Sequence, residues 1–289
     1  MRRECYFCHI RAIEKLIDKF KLGGRFAENL IFSVHKLIES NWELSNPKLA
    51  TEIHRMARLH LGNPNLYAEE KSRANDTLLK QYSYWETIVK LSKRPFPTAA
   101  KLSVIGNIID YGAQSVKDNL SEQIESFYQK KLKIDMTAEL YNEISKAKNV
   151  LYLGDNCGEI VFDKLFIETM RHPNITFVVR GKPVINDATL EDAKQVGLDN
   201  ICSVISNGFD APSTLIEFCS DEFVEVYNNA DLIISKGQGN FEGLMENTPP
   251  NPKTFFLLIA KCNPIAHLIG VEKDDMVILQ STQSMTRPA

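Results

Sequence analysis

The sequence predicts an α/β protein: an all-helical N-terminal domain over residues 1–147, joined to a domain over residues 148–289 built on a mostly parallel sheet with helices on both faces. Three observations carry this. Before about residue 146 the apolar residues recur at helical spacing; after Lys148 they gather into short β-rich runs; and those runs alternate with helical stretches. Near-continuous apolar strands separated by helices imply a parallel sheet covered on both sides. In the first half, Ile10, Ile13, Leu16, Ile17 and Phe20 make one apolar stripe, and Leu30, Ile31, Val34, Leu37 and Ile38 make a second. Breaks at Gly23-Gly24, Asn46-Pro47, Gly62-Asn63-Pro64, Pro95-Phe96-Pro97 and Gly112 leave room for six or seven helices. In the second half the strand runs are 149–153, 175–179, 201–205, 232–234, 255–259 and 276–279. No flexible linker separates the halves, which are therefore expected to pack tightly.

Length and composition agree with this division. At roughly 150 residues per domain, 289 residues suggest two units, and 44% hydrophobic with 25% charged residues is a globular balance. Thirty-four basic against 37 acidic residues leave a net charge of -3, so no basic field draws in nucleic acid. No apolar run is long enough to span a membrane, and the start Met-Arg-Arg-Glu-Cys5 lacks the apolar core of a signal peptide. A cytoplasmic protein is the expectation, and its six cysteines are then expected to be reduced thiols.

Open α/β sheets bind ligands beyond the carboxyl ends of their strands, so the residues just after each strand are the candidates for function. After the first strand comes Gly154-Asp155-Asn156-Cys157-Gly158-Glu159, and after the second Arg180-Gly181-Lys182-Pro183-Val184-Ile185-Asn186-Asp187. Ser206-Asn207-Gly208 follows the third, Lys236-Gly237-Gln238-Gly239-Asn240-Phe241-Glu242 the fourth, and Lys261-Cys262-Asn263 the fifth. Asp155, Asn156 and Asp187 offer hard oxygen ligands to a divalent ion such as Mg²⁺ or Mn²⁺, with Co²⁺ and Ni²⁺ as further candidates. Arg180, Lys182, Lys236 and Lys261 can face an anion, and Gly237 and Gly239 let backbone N–H groups approach phosphate oxygens. A metal and several cations around a phosphoryl group suit phosphate-ester hydrolysis. The competing reading makes Asp155 and Asp187 ordinary helix N-caps. Glu159 and Asp163 lie i, i+4 on one helical face; Glu159 is the stronger candidate, and Asp163 reads equally well as a solvated acid. Neither G-x-G-x-x-G nor G-x-x-x-x-G-K-[ST] is present, which argues against an ordinary dinucleotide fold or P-loop.

The blocks Gly154 to Asp163, Arg180 to Thr189 and Lys236 to Glu242 resemble, in that order, the signature blocks of the damage-control phosphatase family, also known as domain of unknown function 89. Cys5-Tyr6-Phe7-Cys8 and Ala260-Lys261-Cys262 resemble its prokaryotic branch, and the likeness runs across essentially the whole chain. The resemblance implies a helical domain attached to a Rossmann-like three-layer α/β domain, and metal-dependent hydrolysis of small phosphorylated metabolites, often damaged forms or side products. It places metal ligands on Asp155, Asn156 and Asp187 and phosphate contacts on Lys236 and Lys261; Asp155, Glu159 and Lys236 are the catalytic candidates. Where other branches carry Arg-Thr-x-Lys, this chain has Leu258-Ile259-Ala260-Lys261. Asn240 joins the phosphate-binding candidates. Gly106 to Gly112 resembles a further family block, in which Asn107 and Asp110, i and i+3, can contact a sugar hydroxyl or a metal-bound water.

The cysteines pose a separate question. Cys5 and Cys8 share a helical face and are half of a metal site, which His9 or Cys262 can complete only if the fold brings them close; a redox pair and plain buried thiols are the alternatives. Cys157 lacks an evident histidine partner and is read as packing. Two other functions stay in view: an S-adenosylmethionine-dependent methyltransferase using the loop at Gly154, and a non-catalytic sensor of a phosphorylated metabolite. Within the phosphatase reading, attack by Asp155 and attack by a metal-bound water both remain open.

Overall fold

The computed structural model describes residues 3–108, 120–246, 251 and 253–282. The helical region contains α1 (Arg3–Lys19), α2 (Gly24–Ser40), α3 (Asn46–Leu61), α4 (Ala68–Leu79), α5 (Tyr82–Leu91), α6 (Pro95–Gly106) and α7 (Leu120–Gln129). Then come β1 (Ile134–Asp135), α8 (Thr137–Lys146), β2 (Val150–Leu153), α9 (Glu159–Met170), β3 (Ile175–Val179), α10 (Leu190–Val196) and β4 (Ser203–Ser206). The chain continues with α11 (Asp221–Asn229), β5 (Leu232–Lys236), α12 (Gly237–Leu244), β6 (Thr254–Ile259), α13 (Asn263–Ile269) and β7 (Met276–Gln280). The six expected strands are all present. Two features differ from the sequence reading: eight described helices precede residue 148 where six or seven were expected, and the two-residue strand β1 lies among them. Two residues are too few to show a period of two.

The seven strands are ordered β1-β7-β6-β5-β2-β3-β4, and every neighbouring pair is parallel except β6 and β7. Strand order reverses between β2 and β5, which makes their carboxyl ends the topological switch point where ligands of such sheets bind. The period of two appears within β2. Val150 and Tyr152 pack on one face with α4–α10, whereas Leu151 and Leu153 pack on the other with α11–α13. Because both faces are covered, every residue of β2 is buried.

A third apolar cluster joins α1, α2 and α3 through Ile13, Leu16, Leu30, Val34, Ile38, Leu49 and Ile53, the i, i+4 stripes seen in the sequence. Gly62 ends α3 in the left-handed region, φ 60°. Helix α6 is different: Ala99, Ala100, Leu102, Ser103, Val104, Ile105 and Gly106 are all buried, which leaves only a narrow half-buried side at Pro97, Thr98 and Lys101. It lies against α9, which is also buried almost all round. A side chain at Gly106 would come within 3.1 Å of the Glu159 backbone. That close approach brings Ser103 and Asn107 up against Glu159 and Asp163.

Two buried histidines in the helical layer set an acid limit on stability. Burial holds the His9 imidazole near pKa 4, although an Asn46 hydrogen bond pulls it back up. Burial, reinforced by His9 and Arg58, holds that of His54 near 3. Both therefore stay neutral in the folded chain while they charge in the unfolded one at about 6.5. Their stabilisation is complete above that value and is lost as pH falls toward the folded pKa. Each histidine is expected to cost about 2–3 kcal/mol by about pH 4. Thermal melts through this range should show His54→Leu declining less steeply than the parent chain; parallel curves would refute the assignment.

Candidate active site

The site is assembled at the switch point from four segments. Neither aspartate of the candidate metal set caps a helix: the N-cap of α9 is Gly158, and that of α10 is Thr189, which forms a capping box with Asp192. The two loops meet through an isolated β-bridge between Asn156 and Asp187. The Ala188 N–H donates to the Asp155 carbonyl at 2.8 Å, and the Cys157 N–H to the Asn186 carbonyl at 2.8 Å. Sequence-distant oxygens are thus fixed side by side. Ile185, packed against the α1–α3 cluster, has φ 44°, a left-handed conformation that a β-branched side chain resists. The helical layer therefore presses on the loop that presents Asp187.

Arg180 runs between the two aspartates and is only 2% exposed. Its Nε donates to Asp187 Oδ2 at 2.6 Å and its Nη2 to Asp155 Oδ1 at 3.3 Å, while Nη1 donates to Asn240 Oδ1 at 2.9 Å and Thr214 Oγ1 at 3.3 Å. Asn240 gives its Nδ2 to the carbonyls of Gly154 (3.0 Å) and Lys236 (2.8 Å), tying the ends of β2 and β5 together. Asn240 is therefore a bracket for the two strand ends. Gly237 opens α12 at φ 77°, and a Cβ there would lie 1.8 Å from Asp155 Oδ2. The Asp155 carboxylate itself demands that glycine. At Gly239 a Cβ would lie 2.3 Å from the Pro212 carbonyl, so this glycine is required by packing.

Behind this layer lies a second group of charges. Lys236 is fully buried and donates to Glu159 Oε1 (2.6 Å), Asp163 Oδ1 (2.7 Å) and the Ser103 carbonyl (2.8 Å). Burial alone would lower its pKa, but Asp163 and Glu159 override that and raise it. An ammonium has three hydrogens, and all three are taken. Asp163 also accepts from Ser103 Oγ (2.7 Å) and the Tyr152 hydroxyl (2.8 Å). It is a buried acid and not a solvated one: burial raises its pKa to about 6 against the pull of Lys236. Burial, then Asp187 and Glu159, push the Asp155 carboxyl well above the usual range, while Arg180 and Lys261 draw it down. Lys261 is half-buried, with its N–H on Gln238 Oε1 at 2.8 Å, and Lys182 stands exposed. Asn107 reaches both carboxylates from the end of α6, while Asp110 lies outside the described residues.

The match to a family model described as "Damage-control phosphatase ARMT1-like domain" spans residues 1–277. The chain belongs to this family. It is 39% identical over 287 residues to a damage-control phosphatase of Pyrococcus horikoshii, covering 96% of this chain and 97% of the relative. A damage-control phosphatase of Archaeoglobus fulgidus is 40% identical over 239 residues, covering 80% of this chain and 81% of that one. An uncharacterised protein of Methanocaldococcus jannaschii is 35% identical over 294 residues, with 97% and 95% covered. The crystal structure of a Pyrococcus horikoshii protein of the same domain of unknown function 89 superposes with a TM-score of 0.83 at 31% identity, covering 98% of this chain and 99% of that one.

The sequence reading did not single out Ser103, Tyr152 or Thr214, whose hydroxyls lie against Asp163 and Asn240. Asn75 on α4 is fully buried and accepts the Gly158 N–H at 2.6 Å, fixing the turn after Asp155 from the helical layer. Of the N-terminal cysteines, Cys5 is half-buried and Cys8 exposed; Cys8 lies close enough to Cys262 to act on its thiol, and none of the six cysteines forms a disulfide. Among the described residues no three His, Cys, Asp or Glu side chains converge to hold a metal ion. Asp155 and Asp187 would accordingly need the Asn156 carbonyl as their third ligand. Cys157 is buried, and burial pushes its thiol well above the ordinary value, as packing requires. Among the described residues no helix is long and apolar enough to cross a membrane.

Proposed function

We propose that the chain is a metal-dependent phosphatase that hydrolyses phosphomonoesters of small metabolites, sugar phosphates or related compounds, damaged ones included. The observation that carries this is an imbalance of buried charge. Four carboxylates, Asp155, Glu159, Asp163 and Asp187, surround two cations, Arg180 and Lys236, all nearly inaccessible to water. With all four ionised, two negative charges exceed the buried cations; the raised pKa of Asp155 and of Asp163 shows how strongly the site resists that excess, and a divalent ion would offset it. The names of the Pyrococcus horikoshii and Archaeoglobus fulgidus relatives support the same activity.

Asp155, Asn156 and Asp187 would hold the ion, whose oxygen-only donor set suits Mn²⁺, Mg²⁺, Co²⁺ or Ni²⁺. When bound, it would neutralise charge on the phosphoryl oxygens. Arg180 keeps both aspartates in place. Lys261, close enough to act on the Asp155 carboxyl, and the exposed Lys182 on the loop that carries Asp187 would offset the remaining phosphate charge, a role the geometry no longer favours for Lys236. Nothing in the site suits an adenosyl sulfonium, which has no use for this set of cations. The test is hydrolysis of p-nitrophenyl phosphate by metal-stripped protein reloaded with each of the four ions in turn. Activity that returns with at least one ion and is abolished by chelation is expected; silence with all of them would favour a non-catalytic sensor.

A further inference from the structure

Asn107 stands at the end of α6 and Asn156 in the loop after β2, yet their amides are held in one way. Asp155 Oδ2 accepts from Asn107 Nδ2 at 3.1 Å and from Asn156 Nδ2 at 2.7 Å. Glu159 Oε2 accepts from the same two nitrogens at 2.8 and 3.1 Å. A carboxylate offers lone pairs and no hydrogen, so only the NH₂ end of each amide can face this pair, and both carbonyl oxygens turn away from it. The Asn107 Oδ1 is buried and has no hydrogen-bond partner among the described residues. Buried acceptors are seldom left so, which marks this oxygen as waiting for a donor or a cation. Glu159 is itself gripped from behind, because its Oε1 accepts from Lys236 at 2.6 Å.

We infer that Glu159 and Lys236 are positioning residues, which fix the direction of two amides and so present the carbonyl oxygens of Asn156 and Asn107 to the divalent ion; the inference rests on the metal site proposed above. Lys236 anchors Glu159, Glu159 takes the NH₂ ends, and the oxygens are left for the cation. The sequence alone put both residues among the catalytic candidates; the geometry gives them the supporting role that groups behind metal ligands commonly play. The arrangement also explains why a lysine is buried beside two carboxylates: an anchored Glu159 cannot rotate to let either amide reverse.

Glu159→Gln tests this with little change of shape. The new side chain keeps an oxygen for Lys236 but brings an NH₂ group to the point where two NH₂ groups already converge, so an amide must reverse or withdraw. Mn²⁺ titrated calorimetrically into metal-free protein is expected to bind about 10–100-fold more weakly in this variant. Asp163→Asn is the control. It alters an equally buried carboxylate on the same lysine but leaves both amides their acceptor, so its Mn²⁺ affinity should fall only by what the loss of one more distant charge costs, well short of the fall in Glu159→Gln. Equal losses in the two variants, or no loss in Glu159→Gln, would overturn the inference. A parent chain that binds no Mn²⁺ would instead overturn the metal site itself. Should Glu159→Gln lack a cooperative melt, Asn107→Leu takes its place: it removes one presented oxygen while leaving Glu159 on Lys236, and unchanged Mn²⁺ affinity there would refute the assignment.

Discussion

Asp155→Asn is expected to lower kcat for phosphomonoester hydrolysis by on the order of 10²-fold or more, while the melting temperature of the metal-free protein stays the same or rises. The two effects have one origin. Asp155 lies among like charges, and burial together with Asp187 and Glu159 drives its carboxyl well above the usual range. A carboxyl whose folded pKa is raised costs stability at neutral pH, where it must ionise against its surroundings. That cost fades as pH falls through the folded pKa. Asparagine removes the charge, so any gain in stability should be greatest near neutrality and vanish in acid. Its oxygen can still accept from Asn107 and Asn156, which keeps the fold; its NH₂ end loses the 3.3 Å contact with Arg180, which stays held by Asp187 and Asn240, and the ion loses one of its two anionic ligands. Steady-state kinetics at saturating Mn²⁺, with melts of the stripped protein across pH, read both quantities. An unchanged kcat would remove Asp155 from the reaction.

The sheet, and with it the loops that carry the candidate metal set, were legible in the sequence because both rest on short-range rules. Six apolar runs gave six strands, and reading the residues after each run brought Asp155, Asn156 and Asp187 forward before any contact was known. What sequence could not decide was whether those aspartates cap helices. Thr189 and Asp192 settle one case and Gly158 the other, and a capping box is itself a local pattern. Roles that depend on which way a side chain turns were not legible. Lys236 precedes a glycine-rich turn and reads as a phosphate ligand, yet it turns inward because α6, far earlier in the chain, supplies the Ser103 carbonyl. Asp163 reads as a solvated helical acid only until α6 covers α9. Gly237 reads as a phosphate-binding glycine, while the atom it actually accommodates is an oxygen of Asp155.

The same long-range packing makes Lys236→Met the variant with the largest expected cost in stability. It leaves Glu159 and Asp163 buried without their cation, and breaking a buried pair from one side typically costs about 3–5 kcal/mol. In a chain of this size that corresponds to a fall in melting temperature of roughly 10 °C. The pH dependence separates lost charge from lost packing. Asp163 already titrates at about 6, with Lys236 the main influence holding it down. Without the lysine its carboxyl must rise further, so the variant takes up a proton on folding at neutral pH that the parent does not. Folded-state proton uptake adds stability as pH falls, and the gap between variant and parent should therefore narrow from about pH 8 to about pH 5. Taking the difference between the two chains cancels the opposite, histidine-driven decline that both share. Asp163→Asn added to Lys236→Met removes one stranded charge and should recover part of the loss near neutrality. A gap that stays constant with pH, or a double variant no more stable than the single one, would mean that Lys236 contributes by packing alone.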